Sequence, residues 1–190
     1  MKQIGNNLQT VRRVATLFSF VFVALTSVAA SAAPTDRVRV QWAATEQLSE
    51  VRDNQMQRGW MRPNEWEKQL GEHLRKRAES TLPAGEQLEV TIDDIKLAGS
   101  FEPWHGPAAE DIRFMRDIYP PRIDLHYRLL GSDGSVLREG NSKLRDLSYL
   151  MRIVPNETDP LRYDKRLLDD WLRKEFRDGG AAAAALQRGA

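Results

Sequence analysis

Residues 101–106 read Phe-Glu-Pro-Trp-His-Gly, placing a carboxylate (Glu102), an indole (Trp104) and an imidazole (His105) within six positions. With Tyr119 further along, these groups could form a binding lip: an aromatic contact surface with a carboxylate and an imidazole to pair with polar groups. The same stretch could serve architecture. Aromatics beside strand ends more often pack than recognise, so the sequence favours Phe101 and Trp104 capping the open end of a core, with His105 near solvent.

Other chemistry finds less support. The three histidines, His73, His105 and His126, lie 32 and 21 residues apart, and the chain has no cysteine. A zinc-type site needs three or four converging ligands, and this spacing suggests none. No G-x-S-x-G elbow or glycine-rich phosphate loop occurs, because the G-S-D-G at 131–134 lacks the lysine and helix that would give it meaning. His126 alternates away from the apolar set led by Ile123, where Asp124 or Glu139 would be in reach across a sheet. Adjacent acids at Asp93-Asp94 and Asp169-Asp170 complete the polar inventory, the second pair reading as a solvated helix face. The expectation is therefore no catalytic residues, no cofactor and no metal.

The elements that would position this loop are legible from periodicity. VRVQW (38–42) and LEVTI (88–92) alternate as half-buried strands around a helix that starts near Asn64, with Glu67 as its capping-box partner. Trp66, Leu70, Leu74 and Ala78 give that helix one apolar stripe. The alternation slips at Asp93-Asp94, which predicts a bulge. RIDLHYRLL (122–130) and VLREGNSKLRDL (136–147) form a hairpin across GSDGS, and DIRFMRDIY (111–119) supplies an extra strand or short helix. A final helix follows Asp159 as cap and Pro160 as first helical residue, its stripe made by Leu161, Leu168 and Leu172. This β-α-β-β-β-α order predicts an α+β two-layer sandwich, a mixed sheet with two helices on one face. The interval Glu102–Pro121 is long for a compact domain, and long loops are often functional.

The N-terminus carries a destination. Lys2, Arg12 and Arg13 precede an uncharged run at 14–30 and then Ala30-Ser31-Ala32, the layout of a signal peptide over residues 1–32 cleaved after Ala32. The alternative, an uncleaved anchor, would rest on an uncharged, mainly apolar run of 17 residues, at the short edge of a bilayer span. Residues 33–178 then form a single α+β domain, and 179–190 a flexible alanine-rich tail. Without residues 1–32 the chain keeps 25 basic against 27 acidic residues, turning the formal +1 into −2. Mixed signs near neutrality leave no electrostatic footprint for nucleic acid.

The segments LAGSFEPW, DIYPPRIDL, KLRDLSY and DPLRYDKRLLDDWLRKEF, in this order, resemble DUF3016, an exported proteobacterial family, from about Val38 to Phe176. That resemblance implies a periplasmic protein of Gram-negative bacteria and brings no assigned reaction. Together the readings point to a non-enzymatic binding module of the cell envelope. Its partner would be an envelope protein or small ligand, without stable membrane insertion after cleavage. A periplasmic hydrolase or small-ligand enzyme with a site near 101–121 is the alternative, and would need His105 or His126 to meet a carboxylate in a pocket.

Overall fold

The computed structural model describes residues 37–54, 61–152 and 158–178. The expected signal peptide at 1–32 and tail at 179–190 lie outside them. The elements are β1 (Val38–Trp42), a short α1 (Ser49–Asp53), α2 (Pro63–Thr81), β2 (Gln87–Lys96), β3 (Ser100–Phe101), β4 (Arg113–Phe114), β5 (Arg122–Leu130), β6 (Val136–Arg145) and α3 (Arg162–Leu172). The main sheet runs β1-β2-β5-β6. Its β1–β2 pair is parallel across the α2 crossover and the other pairs are antiparallel. β3 and β4 pair separately.

One face of the main sheet meets both long helices. Trp66, Leu70, Leu74 and Ala78 of α2 join Leu168, Trp171 and Leu172 of α3 over Leu88, Val90, Ile92, Ile123 and Leu125 in a single buried cluster. The fold is thus α+β with helices on one side of a mixed sheet, as the periodicity predicts. At the far end Tyr127, Trp171 and Phe176 meet pairwise edge to face, with centroids 5.5–5.6 Å apart. Among the described residues no helix is long and apolar enough to cross a membrane.

Local departures have local causes. Helix α2 starts one residue before the expected cap: Pro63, with its preset φ, takes the first position. The reciprocal acid is Glu65, whose carboxylate accepts the Arg62 backbone N–H at 3.2 Å and its guanidinium at 2.7–2.9 Å. Glu67 instead accepts the Thr45 hydroxyl. The last helix begins at Arg162, because the Asp159 carboxylate accepts the Leu161 N–H and the Lys165 ammonium and closes a turn first. Strand β6 stops at Arg145 rather than 147.

The expected slip is present between Ile92 and Asp94. It frees the Asp94 carboxylate to accept the Ser49 backbone N–H and hydroxyl at 2.6 and 2.7 Å, seating the start of α1 against β2. That seat matters because α1 carries Glu50.

Candidate functional site

The loop after β2 is held by buried charge. Arg113 of β4, with its side chain only 3% exposed, donates to both Glu50 carboxylate oxygens at 2.7 and 3.1 Å. Its Nε also donates to the Ala98 carbonyl at 2.6 Å, and Nη2 is shared with the carbonyls of Leu97 and Gly99 at 3.0 and 3.1 Å. Glu50 also accepts the Leu97 N–H. One guanidinium thereby ties α1, the end of β2 and the β3–β4 hairpin into one unit, its fork matched to a carboxylate. Gly99 (φ +79°) lets the hairpin close on itself, since a Cβ there would sit 2.8 Å from the Phe114 carbonyl. From the helical side Tyr149 donates its hydroxyl to the Arg116 carbonyl at 2.8 Å.

On this frame two successive 3₁₀ turns, Pro103–His105 and Pro107–Ala109, meet at Gly106. In a 3₁₀ turn residues i and i+3 eclipse, so His105 comes over Glu102. The Glu102 carboxylate, 2% exposed, accepts from His105 Nε2 at 2.8 Å, Arg116 Nη2 at 2.7 Å and the Tyr119 hydroxyl at 3.0 Å. His105 Nε2 therefore carries the proton in this arrangement. Desolvation pulls the Glu102 carboxyl upward, but bonds from Tyr119 and His105 and the Arg116 charge outweigh it, leaving its pKa below the ordinary value. The Tyr119 hydroxyl is pushed up, by desolvation first and then by its bond to the carboxylate.

Such a carboxylate stays ionised at neutral pH with its lone pairs engaged. It suits anchoring, not proton transfer. What it anchors is a surface of π faces: His105 lies 6.1 Å from Trp104 and 5.3 Å from Phe114 by ring centroids, and the Arg116 guanidinium covers Phe114 at 5.7 Å.

The expected core cap is half corrected. Phe101 is buried, but Trp104 is 69% exposed. The strand that buries Phe101 ends there, Glu102 turns inward to its three donors, and the 3₁₀ turn swings the indole out. The structure thus gathers Glu102, His105 and Tyr119 on one carboxylate, with Trp104 beside them. Arg116, Phe114 and the Glu50–Arg113 pair went unread, since no local pattern marks partners so distant in sequence.

The model matching this chain is described as "Protein of unknown function (DUF3016)" and covers residues 36–174. The chain belongs to the DUF3016 family. No curated protein and no solved structure matches it. The DUF3016 match spans the whole 101–121 loop together with α1 and Arg113, so frame and surface both lie within the family region.

The other histidines of this DUF3016 chain stand elsewhere. His126 meets Asp93, the residue left over by the bulge, at 2.9 and 3.0 Å rather than Asp124 or Glu139. It lines a shallow cleft of about 190 Å³ on the open sheet face with Arg39, Glu89, Thr91 and Arg128. His73 of α2 bonds Asp169 of α3 at 2.9 Å, and Arg77 joins at 3.1 Å. Asp169 is therefore an interhelical clamp rather than a solvated charge. Among the described residues no three His, Asp or Glu side chains converge as metal ligands.

Proposed function

We propose that this protein is an exported, non-enzymatic binding module of the Gram-negative cell envelope. It holds a partner protein on the surface made by Trp104, His105, Phe114 and Arg116. The observation that carries this reading is Trp104 itself: a large indole held out to solvent on a proline-started turn, beside a tilted imidazole and an arginine anchored from beneath. Trp and Arg dominate protein contacts, and a preorganised surface loses little entropy on binding. The basic-apolar-small order of residues 1–32 supports export to the periplasm.

A photoreactive residue at position 108, exposed on the 3₁₀ turn next to the one that carries Trp104, tests this in living cells, with position 68 on the exposed side of α2 as control. The reading expects one discrete partner at 108, absent at 68 and absent when Arg116→Ala is added. Equal labelling at both positions would overturn it.

The second reading, a small-ligand enzyme, is favoured by the His126–Asp93 pair at its cleft. Against it, the cleft falls below the usual ligand-pocket range of about 300–1,000 Å³. Its charged walls are already paired, Arg39 and Arg128 both with Glu89. This reading would require His126→Ala to abolish a turnover that Trp104→Ala leaves intact.

A further inference from the structure

At the end of the main sheet Lys96 of β2, Arg122 of β5 and Arg145 of β6 stand directly opposite one another in register. Like charges so placed destabilise strand pairing. Two of the three are neutralised: Lys96 lies 3.1 Å from Asp53, and Arg145 lies 2.7 Å from Asp124. The Arg122 side chain has no ion-pair or hydrogen-bond partner among the described residues, and its Nε is buried. Burying an unpaired guanidinium N–H is unfavourable, so the position calls for an acceptor.

Arg122 forms one wall of a cleft of about 310 Å³ that opens to solvent, faced by Leu97, Ile118, Tyr119 and Pro120. The surface is mainly apolar, with one cation unspent. We propose that this cleft binds a small organic anion, a carboxylate that pairs with Arg122 on an apolar body of amino-acid size lying against Leu97, Ile118 and Pro120. A monoanion fits because Lys96 and Arg145 are already engaged. The volume stands at the low end of ligand pockets, which suits an occupant of this size. This site is separate from the Trp104 surface and does not depend on it. Tyr119 alone belongs to both, its hydroxyl on Glu102 and the residue itself on the cleft wall.

The test titrates N-acetyl-leucine and N-acetyl-leucinamide into the purified chain, reading the Arg122 Nε–H and Ile118 amide signals by NMR. The acid should shift both signals and saturate in the millimolar range, while the amide does neither. Arg122→Gln should weaken the acid by about tenfold or more, since a charge-assisted pair is lost. Ile118→Asp, at an exposed rim position, should weaken it through repulsion without touching the fold. A tetrapeptide ending in leucine separates two sources of this chemistry. Tighter binding than N-acetyl-leucine assigns the site to a peptide C-terminus, and equal or weaker binding assigns it to a free acid. Amide binding equal to acid binding, or no shift at either signal, would overturn the proposal.

Discussion

Arg113 and Glu50 form a bidentate ion pair across 63 residues of sequence, at 2.7 and 3.1 Å, with both side chains almost wholly removed from water. The pair is the hinge pin of the candidate surface. Behind it stands the packed sheet, and in front of it hangs the loop that presents Trp104.

Breaking either half strands a buried charge. Arg113→Ala or Glu50→Ala should each cost about 3–5 kcal/mol, because the remaining ion loses its compensation. The double variant should cost less than the sum, since removing both leaves no stranded charge. Urea unfolding of the three variants measures this. Additive losses would mean that the two residues act independently.

Asp164 gives the fold an inverted response to pH. It is buried, one oxygen accepts the Ala98 N–H at 3.0 Å, and the other has no partner among the described residues. Desolvation raises its pKa to about 7 against the opposing charge of Arg113, with Glu50 adding to the rise. The folded state therefore binds a proton that the unfolded chain, titrating near about 4, releases. Its contribution makes the protein less stable as pH climbs from about 4 to 7. Asp164→Asn should flatten that slope in denaturation curves taken across the window. An unchanged slope would assign the dependence to another group.

Glu102 works in the opposite sense. Its folded pKa lies below the ordinary carboxylate value, so its contribution is present above about 4.3 and is lost as pH falls through the folded value. Partner capture at position 108 should persist from neutral pH into the mildly acidic range and fail only when Glu102 protonates. Glu102→Gln should weaken capture at neutral pH, because His105 and Arg116 lose the charge that holds them. Capture unaffected by Glu102→Gln would show that the anchor is dispensable.

The main sheet and both long helices were legible because their signals are local. Alternation placed Val38–Trp42 and Arg122–Leu130 at their observed limits, and the slip at Asp93-Asp94 is a counting irregularity within one strand. The apolar stripe of α2, recurring every four residues, named Trp66, Leu70 and Leu74 as core. The loop was legible only in part. Glu102, His105 and Tyr119 stand close enough in sequence to be suspected together, and the 3₁₀ turn joins them. Trp104 was read inward from its apolar character, whereas its direction depends on where β3 ends and on which residue satisfies the buried donors. Glu50 and Arg113 carry no periodic mark at all, and their pairing joins a two-residue strand to a five-residue helix, which composition does not encode. Arg122 opens an alternating run, but nothing in that run shows that its neighbours across the sheet are cations.

The most direct measurement is Trp104→Ala with two readouts, unfolding free energy and capture of the partner. An indole 69% exposed contributes little packing, so stability should change by less than about 1 kcal/mol while capture is lost. As a reference, Phe101→Ala in the buried neighbour should cost about 3–5 kcal/mol. A Trp104→Ala protein that unfolds as readily as Phe101→Ala, or that folds normally and still captures its partner, would contradict the account.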